Sequence, residues 1–479
     1  MGRDRAPARL GPAVKLDFDP AAAAPAVLRA ALARGGDFAE LYLEDVVHTA
    51  VTLDAARIER ITTGVDRGAG IRVLHRLKTA YGYTSELSPR ALIELAGAVA
   101  QAARGGLKAV HPPERSAAPP PSAGPRRDPL AAPLGLKVAL CRRADARARA
   151  WEKRIHQVTV RYGDARRAVV CMNSLGEWAQ DDRVQTLLSV TAVAGAGAEI
   201  TTGYESIGGA CGLEVLDGDT PERVAEVASR RAMANLLARP APAGRMPVVL
   251  AASAGGTMVH EAVGHGLEAD LIADGLSIYQ GMIGQVVGTP LLTVLDDATL
   301  PGRRGSFSCD DEGTPAQRTV LIENGVLRGY LHDRLSAWKA GARSTGNGRR
   351  ESFRCRPIVR MSNTMIAPGD DDPEDIVRST ERGLFVRQMG GGQVETVSGN
   401  FVFEVTEGYL IEKGAVSDPV RGATLTGNGP EVLRGIDRVG RDLGFGIGTC
   451  GKDGQSVAVA DAQPTLRIPE LVVGGRQGT

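Results

Sequence analysis

The chain has 479 residues, more than the ~250–300 at which a single core usually stops growing, so two or three domains are expected. Its 57 basic and 56 acidic residues leave a net charge of +1 with no basic face interleaved with aromatics, which excludes a dedicated nucleic-acid or membrane-surface role. No run of about 18 apolar residues occurs, which excludes a membrane-spanning helix, and the six cysteines (141, 171, 211, 309, 355 and 450) show no CxxC pairing, which fits a reducing cytoplasm rather than a disulfide framework.

Residues 25–34 are expected to form a helix with Pro25 in its first turn and Gly35-Gly36 past its end. The apolar stretch around it, broken by Pro25 and Arg29, does not read as a secretory segment. Short β segments follow at 38–47, 51–61, 71–74 and 79–83. Ser88-Pro89 then opens a helix in which Leu92, Leu95, Ala96 and Val99 share one face, stopped by Gly105-Gly106. Residues 1–110 therefore read as an α+β domain, a sheet covered on one face by helices. Eight prolines between His111 and Pro133 suit a mobile loop or linker over 111–134.

A middle α/β segment over 135–242 is expected to hold a charged helix at 136–156, strands at 158–162, 168–172 and 184–193, and a helix from Thr220-Pro221 to about residue 238. From Pro247 the texture becomes β segments between turns, giving a β-rich C-terminal domain over 243–479. Asn324-Gly325 is a strong type I′ hairpin signal, and Glu407-Gly408 a weaker one. The fold class is α+β, with the C-terminal domain carrying a helix of the pattern HExxxH.

That helix follows the apolar strand 248–252 and contains His260-Glu-Ala-Val-Gly-His265-Gly-Leu-Glu268. Imidazoles are good zinc ligands, and a Glu beside the first ligand is how HExxH metallopeptidases present a base to water. Here the spacing is one residue longer. Five residues of ideal α-helix turn through about 500°, leaving the imidazoles about 140° apart. A single-turn bulge would restore a shared face, and Gly264 and Gly266 would lower its cost. Two unrelated histidines on a packed helix remain the alternative on this motif alone.

The wider sequence carries more. His260-Glu-Ala-Val-Gly-His-Gly-Leu-Glu268, Gly390-Gly-Gly-Gln-Val394, Ser398-Gly-Asn-Phe-Val-Phe403, Lys413-Gly, Arg421-Gly-Ala-Thr-Leu425, Cys450-Gly-Lys-Asp-Gly-Gln455 and Gln463-Pro-Thr-Leu466 closely resemble the TldD branch of the TldD/PmbA metalloprotease family. In the N-terminal half, Asp37-Phe-Ala-Glu-Leu-Tyr42 and Gly68-Ala-Gly-Ile-Arg-Val73 are similar to it as well. The resemblance implies one Zn2+ per chain held by His260, His265 and Cys450, an open fourth position as in catalytic zinc sites, and Glu261 as general base on zinc-bound water. The residues alone do not single out Cys450 among six cysteines. The resemblance further implies extended, unfolded peptides as substrates, and assembly with a TldE/PmbA-like partner subunit or a second copy of the chain. Hydrolysis of a small modified peptide or natural product, and non-cleaving peptide binding, are the competing functions.

Four further features bear on the site. Glu268 could orient a ligand imidazole, but a plain helix-surface carboxylate is the expectation. Residues 390–392 with Val394 and 401–405 could receive a peptide strand or be ordinary hairpin backbone. Asp310-Asp311-Glu312 is expected to be a turn rather than a second cation site, and Tyr330 and His332 carry no assigned role.

Overall fold

In the computed structural model, which describes Val14, residues 16–103, the backbone of 111–115 and residues 124–475, three large sheets organise the chain. The first is built on long hairpins where shorter segments were expected. Phe38–Asp54 and Arg57–His75 pair antiparallel over their whole length. They turn at Ala55-Ala56 (φ 45° and 63°), and Arg76-Leu77 (φ 47° and 62°) leads into Lys78–Thr84. Both turns have the two positive φ values of type I′ geometry without Gly or Asn, so the usual hairpin signal is missing from the sequence.

The same sheet continues into the middle segment. Phe38–Asp54 pairs with Ile155–Asn173, followed by Leu175–Ala196 and Glu199–Gly209. His111–Arg115 lies parallel at the edge, the position where prolines cost no central ladder bonds. Of the rest of the proline-rich expectation, residues 116–123 lie outside those described, as do Gly105 and Gly106, while 124–133 run as bends and turns with neither helix nor strand. Helices Pro20–Ala31 and Pro89–Ala102 bury Val27, Leu28, Leu92 and Ala96 against Ile71 and Val170. Leu134–Trp151 and Thr220–Leu237 bury Leu140, Ala144, Ala225 and Ala228 against Val160 and Val190. The first helix starts earlier than expected because Asp19 caps it, accepting from the Ala21 N–H, so Pro25 lies inside it.

The C-terminal part carries the other two sheets. In one, Arg382–Glu395 pairs with both Gly244–Leu250 and Asn400–Glu412, so the strands close into a ring through Leu466–Gly474 and Thr424–Asn428. Leu250, Val386, Phe403 and Leu425 line a core that also receives Val259 and Val263 of the histidine segment. The other sheet has six strands and ends on the hairpin Gly444–Lys452 and Gln455–Gln463, the former being its edge. Asn324-Gly325 forms the expected turn, with φ 48° and 78°. Glu407-Gly408 does not: Asn400–Glu412 runs straight through it and the chain reverses at Lys413-Gly414. The reason is that Glu407 is buried against Arg230 and Arg231 of the helix Thr220–Leu237, which pins it inside the strand.

Candidate metal centre

The segment carrying both histidines leaves the strand Gly244–Leu250, passes Gly255-Gly256 and becomes helical at Thr257. Residues His260–Gly264 form one π turn, and the His265 N–H donates to the His260 carbonyl five residues back. This is the single-turn distortion the longer spacing requires, and it returns the two rings to one side of the helix, 5.1 Å apart between centroids. The glycines serve close approach rather than unusual backbone: Gly264 sits at φ −56°, and a Cβ there would lie 2.0 Å from Met361 Sδ. Gly256 matters most for placement. A Cβ on it would stand 2.4 Å from the Ala462 nitrogen and 2.7 Å from Asp461 Cβ, so its absence lets the helix start against the strand Gln455–Gln463.

Cys450 reaches this helix from the neighbouring strand. Its Sγ is 3.3 Å from His265 Nε2, and one donor atom from each of His260, His265 and Cys450 lies within 4.8 Å of the others. Arg360, fully buried, donates to the Cys450 and Gln455 carbonyls and so fixes the hairpin that presents the thiol. Glu261 Oε2 is 4.0 Å from His265 Nε2, on the side of the cluster that opens to solvent.

Each imidazole is backed by a carboxylate. His260 Nδ1 faces Asp461 Oδ1 at 3.3 Å, and His265 Nδ1 contacts Glu268 Oε2 at 2.9 Å, leaving both Nε2 atoms for the cluster. Glu268 is fully buried, which corrects the expectation of a helix-surface carboxylate: the helical path ends at His265–Leu267, and extended backbone at Glu268 turns its side chain inward. Lys452 donates to Asp270 at 2.7 Å, lies 3.1 Å from Glu268, and thereby ties the cysteine hairpin to the histidine segment. Asp461 and Lys452 were not legible as site residues. Both lie on the hairpin that bears Cys450, and Lys452 stands two residues beyond the cysteine.

Electrostatics follow from these contacts. Burial raises the Cys450 thiol, but hydrogen bonds and charge from His260 and His265 outweigh it and bring it down to about 5. Burial opposes protonation of His265, yet Glu268 and Cys450 raise it to about 9. Burial works against ionised Glu268 as well, and the charges of His265 and Lys452 still hold it at about 2. Glu261 is moved the other way, upward, chiefly by burial. A soft thiolate and two imidazoles backed by carboxylates are a donor set suited to zinc.

The cluster lies on a cleft of about 1200 Å³, walled by the strand Glu199–Gly209, by residues 388–394 and by the cysteine strand. Residues 392–394 pair with 401–403, so they are hairpin backbone, though 388–394 also face the cleft. Asp310 accepts from the Glu312, Thr314 and Gly348 N–H groups, while Asp311 and Glu312 pair with Arg183 and Arg72, so the acidic run is a turn inside a buried ion-pair network. Tyr330 donates to the Tyr279 carbonyl and His332 meets Ser336; neither lines the cleft. All six cysteines are free, and no helix among the described residues is long and apolar enough to cross a membrane.

Known proteins resemble most of the chain. The PmbA/TldA metallopeptidase family matches it in three pieces, domain 1 over residues 39–104, the central domain over 127–236 and the C-terminal domain over 243–475. The metalloprotease TldD homolog of Haemophilus influenzae is 39% identical over 458 residues, covering 92% of this chain and 94% of that protein. A metalloprotease of Methanothermobacter thermautotrophicus is 35% identical over 435 residues, covering 89% and 93%. TldE from Thermococcus kodakarensis has the same fold, with a TM-score of 0.75 at 20% identity over 95% of this chain and 100% of that one.

Proposed function

Because the chain belongs to the TldD/PmbA metallopeptidase family, we propose that it hydrolyses peptide bonds in extended peptides, with one zinc ion held by His260, His265 and Cys450 and with Glu261 as general base. The observation that carries this reading is the convergence of those three donors within 4.8 Å on a cleft that Glu261 also lines. Zinc bound there would act as a Lewis acid, polarising the scissile carbonyl and acidifying water. Glu268 and Asp461 hold the imidazoles with Nε2 inward. Glu261, whose carboxyl burial has raised, takes the proton of the attacking water and returns it to the leaving amine nitrogen.

The shape of the cleft favours a peptide over a small amide. Gly444–Lys452 is a sheet edge whose only strand neighbour among the described residues is Gln455–Gln463. They join through the two-residue turn Asp453-Gly454, and the Ala460 N–H points away toward Ser362. In such a ladder Gly446, Gly448 and Cys450 bond inward, so the backbone groups of Phe445, Ile447, Thr449 and Gly451 face outward. An extended substrate would add there as a strand and bring its carbonyl past Cys450. The assembly that encloses this cleft would be a TldE-like partner or a second copy, and free cysteines suit a reducing cytoplasm.

Metal content of wild type beside Cys450→Ala tests the site, with about one zinc per chain expected in the former and little in the latter. Glu261→Gln should retain zinc and lose about 100-fold or more in peptide turnover. Full turnover in that variant removes Glu261 from the mechanism.

A further inference from the structure

We propose that Arg303 and Arg304 form a carboxylate-binding subsite at the Phe445 end of the cleft, selecting peptides with an acidic group several residues from the bond cleaved. The proposal rests on the peptidase reading above. The two arginines sit on the turn 301–305, which is held in place from both sides. The Ala210 N–H donates to the Gly302 carbonyl at 3.1 Å, and Arg304 and Gln185 exchange hydrogen bonds of 3.1 Å in both directions. Arg304 Nε donates to the Gly448 carbonyl at 3.1 Å, and the Arg303 guanidinium stacks 3.6 Å over the Phe445 ring.

Neither guanidinium has a carboxylate within ion-pair distance among the described residues. Arg72, Arg183, Arg231 and Arg350 are each paired, and the buried Arg349 and Arg360, likewise without a carboxylate among the described residues, donate to the carbonyls of Met361, Ala458, Gln455 and Cys450, whereas Arg303 is exposed on the cleft. Burial lowers the proton affinity of both Arg303 and Arg304, and only Tyr204, beside Arg304, opposes it. A positioned, partly desolvated cation without a counter-ion is what an incoming carboxylate neutralises through charge-assisted hydrogen bonds.

The strand sets the register. Phe445, Ile447 and Thr449 share one face of the edge strand and Cys450 points to the other, and a paired peptide residue takes the face of the residue opposite it. Phe445 lies five positions from Cys450, about 16 Å at ~3.3 Å per residue. The favoured carboxylate therefore lies about four to six residues from the scissile bond, and the preference alternates with a period of two.

The test uses full-length, zinc-loaded protein and labelled decapeptides in which a single Glu, or Gln as control, is walked along an otherwise neutral sequence, each made with a free or amidated C-terminus. Binding is read by anisotropy and cleavage by mass spectrometry. Glu peptides should bind about tenfold more tightly than Gln peptides at alternate positions four to six residues out. Arg303→Gln should bring that ratio close to one, whereas Arg90→Gln, outside the cleft, should keep it. If the gain appears only with the free C-terminus, the recognised group is the terminal carboxylate; if only with internal Glu, it is a side chain. Equal binding of Glu and Gln peptides and of acid and amide forms, an absence of binding, or a ratio that survives Arg303→Gln/Arg304→Gln overturns the subsite. Cleavage with a flat positional profile sinks the subsite alone, and selective binding without cleavage sinks the peptidase reading alone.

Discussion

Removing the Glu268 carboxylate should weaken zinc binding without unfolding the protein. The carboxylate is fully buried and contacts His265 Nδ1 at 2.9 Å, so it fixes which ring nitrogen faces Cys450. Outer partners of this kind are worth about 10–100-fold in metal affinity, or ~1.4–2.7 kcal/mol. Orphaning a buried charge would cost more, about 3–5 kcal/mol, but Lys452 keeps Asp270 at 2.7 Å and the Val359 carbonyl at 3.0 Å when Glu268 is gone. Glu268→Gln retains an acceptor for Nδ1 and loses the charge, so it should fall near the tenfold end; Glu268→Ala should fall near the hundredfold end. Competition against a chromogenic chelator gives the affinities, and thermal melts of the chelator-stripped proteins separate them from stability. Zinc affinities of both variants within twofold of wild type would show that the contact does not position His265 for metal.

Three other outcomes follow from the geometry. In chelator-stripped protein at pH 6.5, iodoacetamide should label Cys450 before Cys141 or Cys211: burial pushes those two up to about 12 and about 11, while His260 and His265 overcome burial at Cys450 and hold it at about 5. Peptide mapping reads the order, zinc should protect, and first labelling at Cys211 would contradict the assignment. Burial opposes ionisation of Glu407, but Arg230 and Arg231 still hold its carboxyl at about 2. A depressed folded value contributes stability above the unfolded pKa of ~4.3, lost as pH falls toward 2. Glu407→Gln should therefore cost about 1–3 kcal/mol at pH 7 and flatten the melting temperature between pH 5 and 3; a slope equal to wild type would discount the pair. Gly256→Ala forces a Cβ into the Ala462 backbone and should cost about 1–3 kcal/mol together with part of the bound zinc. An equally stable, fully loaded variant would mean the helix can move away from Asp461 at no cost.

How legible the site was depended on whether its cause is local. The π turn could be anticipated because the spacing of His260 and His265 permits no shared face without it. Cys450 could not be chosen by residue chemistry, since its partner is 185 positions away and their meeting depends on a hairpin docking against a helix. Only the resemblance of its surrounding motif singles it out. Glu268 departs from the helical periodicity that places it on a surface because the chain leaves the helix at Leu267 and extended backbone turns the carboxylate inward. The long N-terminal hairpins lost their signal at Ala55-Ala56 and Arg76-Leu77, where tertiary pairing imposes positive φ on residues that do not advertise it. Glu407-Gly408 failed for the opposite reason, a turn signal overridden by a buried ion pair.

The position of the cysteine strand links the two halves of the proposed chemistry. An interior strand would have both sides of its backbone committed to neighbours, and a thiol on it could approach the histidines but leave no ladder for a substrate. Gly444–Lys452 is an edge, which proteins usually blunt or cover because an open edge invites any extended chain. Here it is neither capped by a further strand among the described residues nor fully exposed: it lies in a cleft, faced by Glu199–Gly209 and by the turn bearing Arg303 and Arg304. Arg360 and Lys452 hold that edge rigid from behind, through the Cys450 carbonyl and through Glu268 and Asp270. The contacts that fix the thiol against the imidazoles therefore also fix the register of the open backbone. A peptide laid on that backbone is carried past Glu261 at a defined position, so on this reading the incompleteness of the sheet supplies both the donor and the track.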